Sequence, residues 1–312
     1  MKKIAVFNPN AGKGINRHQL SALLPALQIA GIEVWMTRSK HDAEQRIREW
    51  CVAHPCEEVC FIISGGDGTM HEAVNGAAGH KHAVFASIPA GSGNDFARYF
   101  GGFDLNASLP ESLEQVQYEW HDVIRYEMNE TRTAVSNMGA GFDAEVAYAA
   151  NHSRIKKFLN KLSIGKAVYV VFLVRLLISF RPYTLELKVN GEKQIYSRVW
   201  FMTISNQPYF GGGMKIAPSA DTKDGELDIT VVHGLSRLKF LLVFGSVFRG
   251  THTKFKEVSV IRSGAVICHS DQDVRVHADG EDNGLLKAGQ SLKAAAAPFE
   301  IRTVNKLTLD ES

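Results

Sequence analysis

The 312-residue chain has only four cysteines, and none of them stands in a CxxC pair. Cys51, Cys56 and Cys60 fall in one stretch and Cys268 stands alone, which argues against a zinc site and for reduced thiols in a cytosolic protein. Excess charge is also missing. With 35 basic and 33 acidic residues the net charge is +2, too small to imply nucleic-acid binding. The most hydrophobic stretch, residues 167–180, is interrupted by Arg175 and falls short of the ~20 residues needed to span a bilayer. After Met1-Lys2-Lys3 only residues 4–7 are apolar, too few for a secretory leader. The patterns GxxxxGK[ST], GxSxG and HExxH do not occur, so P-loop, nucleophile-elbow and zincin chemistry are excluded. Internal repeats and low-complexity linkers are absent as well. What remains is a globular protein of about two domains, at roughly 100–200 residues each. Its expected place is the cytoplasm, with peripheral contact to the inner face of the membrane.

Against this background one stretch stands out, Ser64-Gly65-Gly66-Asp67-Gly68-Thr69. It follows a short apolar run, residues 59–63, that reads as a buried strand. Residues 70–79 read as a helix, with Thr69 and Glu72 at capping-box spacing. A strand, a glycine turn and a helix start gather backbone N–H groups around an anion. Asp67 is the odd member, because a carboxylate among phosphate-binding amides repels the ligand unless it serves a metal, a ribose hydroxyl or a water.

The first half alternates strand and helix: strands at 3–8, 32–37, 59–63 and 83–88, helices at 17–30, 41–53 and 69–79. Such alternation predicts an α/β domain, a parallel sheet with helices on both faces, whose ligands bind at the carboxyl ends of the strands. Asn8-Pro9-Asn10-Ala11-Gly12 and Pro89-Ala90-Gly91-Ser92-Gly93-Asn94-Asp95-Phe96-Ala97-Arg98 lie at two more of those ends. From about residue 125 the period changes to short alternating runs. Residues 184–189 alternate cleanly and Asn190-Gly191 offers a type I′ turn; further strands are expected at 133–137, 196–204, 226–232, 259–261, 266–269, 274–278 and 291–304. Gly139-Ala140-Gly141-Phe142-Asp143-Ala144 fits GxGxxA but reads as a plain turn. The expected organisation is a nucleotide-binding domain at 1–124 and a β-sandwich second domain at 125–287, with the tail at 288–312 packing back on the first. Helices are expected at 154–180 and 235–250. The first of these carries Arg154, Lys156, Lys157, Lys161 and Lys166 ahead of an apolar segment, a pattern that suits an anionic membrane surface and equally a core-packed helix with a solvated basic start.

Taken together, Asn8 to Gly12, Gly65-Gly66-Asp67-Gly68-Thr69, Pro89 to Arg98 and the late Asp279-Gly280-Glu281 resemble the diacylglycerol kinase catalytic family, over nearly the full chain, and its soluble bacterial lipid kinases in particular. The resemblance implies a first domain of the phosphofructokinase and NAD-kinase kind, ATP and Mg²⁺ as cofactors, and a lipid hydroxyl as acceptor. It implies ATP contacts from Asn8, Pro9, Asn10, Ala11, Gly12, Thr37, Gly66, Asp67, Gly68, Thr69, Met70, His71, Glu72 and Ser92, the last standing where the family usually has threonine. By the same match Asp67, Asp95 and Asp122 serve magnesium and active-site water, and Glu281 is the general base. Asp221, Asp224 and Glu226 match a structural magnesium site in the second domain, although Asp224-Gly225 taken alone reads as a hairpin turn. Two other functions compete. An NAD kinase shares GGDGT but not GSGNDFAR or the late DGE, and a non-catalytic nucleotide-binding regulator at the membrane has no need of Asp67 and Glu281. A homodimer is compatible with everything above.

Overall fold

A computed structural model of the chain describes residues 1–11, 17–104, 108–114, 116–152 and 175–306. The first half builds β1 (Lys2–Phe7), α1 (Arg17–Ile29), β2 (Glu33–Met36), α2 (Asp42–Ala53), β3 (Val59–Gly65), α3 (Asp67–Gly76), β4 (Ala83–Pro89), α4 (Asp95–Phe100) and α5 (Leu109–Ser112). Strands β2, β1, β3 and β4 are neighbours in that order and all parallel. Every residue of β3 is buried, as expected of a strand covered on both faces. Its side chains alternate: Phe61 and Ile63 pack with Ile47, Met70 and Val74, while Cys60 and Ile62 pack with Leu20, Leu23 and Leu27.

The second half contains β5 (Val116–Glu127), β6 (Thr131–Ala134), β7 (Asn137–Gly141), α6 (Phe142–His152), β8 (Tyr183–Val189), β9 (Glu192–Ser205), β10 (Tyr209–Phe210), β11 (Met214–Lys215), β12 (Leu227–His233), α7 (Arg237–Val247), β13 (Val258–Ser263), β14 (Ala265–Ser270), β15 (Val274–Ala278), β16 (Glu281–Leu286) and β17 (Ser291–Lys306). The hairpin between β8 and β9 turns at Asn190-Gly191, both with positive φ, as a type I′ turn requires. Strands β5 and β17 are long enough to serve both layers. The first half of β17 pairs with β14 and the second half lies between β4, parallel, and β5, antiparallel. A bulge between Ala297 and Ile301 separates the halves, with Phe299 at φ 53.

Two local expectations are corrected, and a third lies outside the described residues. Helix α3 starts at Asp67, directly after Gly66, with no side-chain cap. Thr69 therefore lies inside the first turn and its hydroxyl accepts from Asn8 Nδ2 (2.9 Å), while Glu72 reaches sideways to the backbone N–H of His41 (2.8 Å), so no capping box forms. Gly139-Ala140-Gly141 is not a turn but the body of β7, paired on both sides with β9 and β15 and running straight into α6. Finally, the basic helix expected at 154–180 falls outside the described residues apart from a helical turn at 175–179; Gly12 is outside them too.

Candidate active site

The ends of four parallel strands deliver the polar groups of the site. Ser64 and Gly65 close β3, and the carbonyl of Gly65 accepts the N–H of Ala90 at the end of β4 (2.9 Å). The two glycine loops then touch through bare backbone: a Cβ on Gly91 would stand 2.5 Å from the Cα of Gly66. Only glycine at both positions allows that approach. Asn94, itself left-handed, closes the second loop by accepting from Gly91 N (2.8 Å) and donating to Gly91 O (3.0 Å). Beside it, Asn8 follows β1, ties Thr69 to the loop and accepts from Asn10 N (3.0 Å). Thr37 ends β2 with its N–H on Phe7 O (2.9 Å).

Asp67 sits where the loops meet. Its Oδ1 accepts from Phe96 N (3.0 Å), and Oδ2 faces Gly93, where a Cβ would lie 2.7 Å away. Burial pushes its pKa up to about 6; the nearby Asp95 and Asp279 charges add to the rise, against the backbone N–H of Phe96 and Asp95. An acidic group held this way lacks a counter-charge. Asp95 has a different task. Its oxygens accept from Gly212 N and Gly213 N, both at 2.8 Å, which anchors the β10–β11 hairpin over the second glycine loop. That hairpin turns through Gly211, Gly212 and Gly213, all at positive φ, and is an element the sequence reading passed over although three consecutive glycines mark it.

The second layer contributes the turn between β15 and β16. Asp279 (φ 50) and Gly280 (φ 81) form it and point two carboxylates in opposite directions. Asp279 faces inward, accepting from Val135 N (2.9 Å), Ser136 N (2.8 Å), Asn137 N (3.2 Å) and His71 Nδ1 (2.8 Å). Burial alone would raise its pKa, but the His71 bond and charge and the backbone amides outweigh it and the net shift is downward. Glu281 faces outward, its Oε1 in contact with Gly68 of the first loop and its Oε2 2.7 Å from Lys40 Nζ. A cleft of about 270 Å³ opens there, lined by Lys40, His41, Glu72, Arg132, Glu281 and Asp282 among others. Under the turn, His277 Nε2 donates to Asp143 Oδ2 (3.1 Å), Nδ1 accepts from Gly280 N (3.3 Å), and Phe210 stacks on the ring at 4.8 Å.

Because Asp279 carries four donors from two layers, Asp279→Ala leaves them buried and unpaired. The expected cost is about 3–5 kcal/mol, read as a fall in thermal midpoint of about 5–8 °C. Its pKa is lowered, so this contribution is present above the ordinary carboxylate pKa and is lost as pH falls through the folded value. Equal melting of wild type and variant at neutral pH would refute the anchoring role.

Residues 2–126 match the family model for the diacylglycerol kinase catalytic domain, and residues 136–300 match the YegS C-terminal NAD kinase beta sandwich-like domain. The chain belongs to the diacylglycerol kinase family. A diacylglycerol kinase of Mycobacterium tuberculosis (strain ATCC 25618 / H37Rv) is 29% identical over 288 residues, covering 90% of this chain and 88% of its own. The diacylglycerol kinase of Bacillus subtilis (strain 168) is 26% identical over 296 residues, with 90% of each chain covered. In fold, the chain matches a crystal structure of a diacylglycerol kinase from Bacillus anthracis str. Sterne at TM-score 0.71 and 18% identity, over 99% of this chain and 98% of that one. Yeast NADH kinase shares the fold more distantly, at TM-score 0.57 and 9% identity over 100% of this chain and 85% of the other.

In this kinase not every residue expected at the nucleotide or metal reaches it. Asn8, Thr37, Gly66, Asp67, Gly68, Thr69 and Glu72 share one rim with the exposed Asn10 and Ser92, whereas Met70 turns into the core and His71 is engaged by Asp279. Pro9 and Ala11 lie in the loop after β1, Ala11 buried. Asp122 is fully buried, with Oδ1 on Phe299 N (3.1 Å) and Oδ2 on Gly225 N (2.8 Å), so it ties the β17 bulge to the loop before β12. Neither Asp122 nor Asp95 keeps an oxygen free of backbone N–H. The expected second metal site is also not assembled by its side chains. Arg262 pairs with Asp224, with Glu226 (3.3 Å) and with Asp228 (3.8 Å), and Asp221 accepts from Lys223 N (3.1 Å). The guanidinium supplies the positive charge that an ion was expected to bring. Among the described residues no three His, Cys, Asp or Glu side chains converge as metal ligands.

Proposed function

We propose that the chain transfers the γ-phosphate of ATP to the hydroxyl of a lipid, with diacylglycerol or a related glycerolipid as acceptor and Mg²⁺ as cofactor. The observation that carries this reading is the contact between Glu281 of the second layer and Gly68 of the first glycine loop. It places a proton acceptor against the backbone that would hold a phosphate. The ends of β1 and β3 and the loop after β4 supply the nucleotide edge, and the Glu281 side of the cleft admits the acceptor. Asp67 fits a magnesium requirement, being a buried carboxylate at the meeting of the glycine loops without a counter-charge, and Mg²⁺ needs only one or two protein carboxylates beside phosphates and water. When bound, the ion neutralises charge on the phosphate oxygens.

The reaction then asks three things of the chain. The glycine loops hold the phosphates by backbone N–H. Glu281 accepts the proton of the attacking lipid hydroxyl as its oxygen bonds to the γ-phosphorus and the bond to ADP breaks. The buried Asp279 and the His277–Asp143 pair keep the turn that presents Glu281. The acceptor hydroxyl arrives from a membrane, so the working position is at an anionic bilayer surface. The test is to incubate the full chain with labelled ATP, Mg²⁺ and a total lipid extract, then identify the product. A phosphorylated glycerolipid is expected. Labelled NADP from a parallel tube containing NAD, with no labelled lipid, would overturn the reading.

A further inference from the structure

Helix α7 carries apolar side chains on two opposite sides, with Arg237, Lys239 and Ser246 on the flanks between them. Phe240, Val243 and Val247 face inward and are buried, packed with Phe142 and Trp200. On the opposite side Leu238 is 79%, Leu241 40% and Leu242 71% exposed, and Phe248 just past the end is 54% exposed. A Cβ at Gly245, in the middle of that side, would meet nothing. An exposed apolar patch of this kind marks an interaction surface. The patch extends beyond the helix. Arg237 donates to the carbonyls of Leu177 (2.9 Å), Ile178 (3.1 Å) and Phe180 (3.3 Å), which brings Ile178, 68% exposed, beside it.

The charge around this surface selects the occupant. Arg175, Arg181, Arg249, Lys254 and Lys256 are exposed and carry no ion pair among the described residues. No Asp or Glu occurs from residue 235 to 256, and the first one after, Glu257, is taken by Lys239 at 2.6 Å. An apolar face rimmed by unpaired cations and free of acids matches the interface of an anionic bilayer. The inner side of α7 leads to the catalytic turn. Phe240 meets Phe142 at 4.9 Å, Phe210 packs against the same cluster, and Phe210 stacks on His277 beneath Gly280.

We infer that the outer face of α7, with Leu238, Leu241, Leu242 and Phe248 inserted and Arg249, Lys254 and Lys256 at the headgroups, is the surface on which this chain docks to an anionic phospholipid bilayer. The inference rests on the proposed lipid-kinase reading, and its test separates the two. Sedimentation of the full chain with phosphatidylcholine vesicles doped with phosphatidylglycerol should show binding that falls as salt is added. Leu238→Ser combined with Leu242→Ser should lower the partition coefficient at least about tenfold, with an unchanged melting temperature because both side chains are already in water. Phosphorylation of a water-dispersed short-chain diacylglycerol should be kept. In addition, Leu242→Trp should show a blue-shifted emission on vesicles, quenched by brominated acyl chains. Three results would overturn the inference: no vesicle binding by wild type, undiminished binding by the double variant, or an unquenched tryptophan on bound protein. A concentration-dependent dimer abolished by the double substitution would assign the face to a second copy of the chain instead. Failure to phosphorylate any lipid would remove the kinase reading, while vesicle partition would still report on the face.

Discussion

Asp67→Asn is expected to give a protein that melts higher than wild type and transfers almost no phosphate. The folded pKa of Asp67 stands at about 6 against an ordinary 3.8, chiefly through burial. A carboxylate whose pKa is raised on folding favours the unfolded state once it ionises. The sign follows from the order of titration. Below the ordinary value both states hold the proton and nothing is lost. Between the two values the unfolded chain ionises first, and above about 6 the full cost is present, about 3 kcal/mol for a shift of about two units. Asparagine keeps the bond from Phe96 N and carries no charge, so it removes that cost. A rise in midpoint of about 5 °C at neutral pH, shrinking as the pH is lowered toward 4, is the expected pattern in the nucleotide-free protein. Turnover should fall by about 10³-fold or more, since on the proposed reading the carboxylate that would hold Mg²⁺ beside the phosphates is gone. A variant that melts lower at neutral pH, or that retains near-normal turnover, would show that Asp67 is a structural part of the loop.

Glu281→Gln should separate chemistry from binding. The substitution keeps the volume against Gly68 and removes proton acceptance, so kcat is expected to fall by about 10²-fold or more while the KM for ATP changes little. Loss of the exposed pair with Lys40 should cost less than about 1 kcal/mol, leaving the fold intact. Wild-type turnover by the variant would mean that the acceptor of the proton is another group, or none.

The parts of this site that were legible in the sequence are those built by short stretches of chain. A strand, a glycine pair and a helix start within residues 59–76 announce the first glycine loop because each signal is local. The parallel layer followed from alternation, and the β-sandwich from the change to period two. What escaped was long-range. His71 and Asp279 are 208 residues apart, and Asp122 bonds to groups 103 and 177 residues away, so nothing near either aspartate distinguishes an anchor from a metal ligand. The same holds for Arg262, which meets Asp224 only because β12 and β13 pair. Gly139 looked like a turn residue because its reason for being glycine is distant: a Cβ there would run into Asp143 and His277. The capping-box spacing misled because Gly66 begins the helix itself, which frees Thr69 for Asn8 and Glu72 for the backbone of His41.

The insertion of β17 between β4 and β5 has a consequence for how the protein comes into being on the ribosome. Residues 301–306 are synthesised after every other described strand, yet they complete the first layer of the fold. Until they emerge, β4 carries an unpaired edge of backbone groups, the kind of surface that invites pairing with another chain. The glycine loops at the ends of β3 and β4 therefore rest on an unfinished sheet until those residues have been made. Nascent chains interrupted before residue 301 would be prone to aggregate, and catalytic competence would appear only when β17 has slid into its slot.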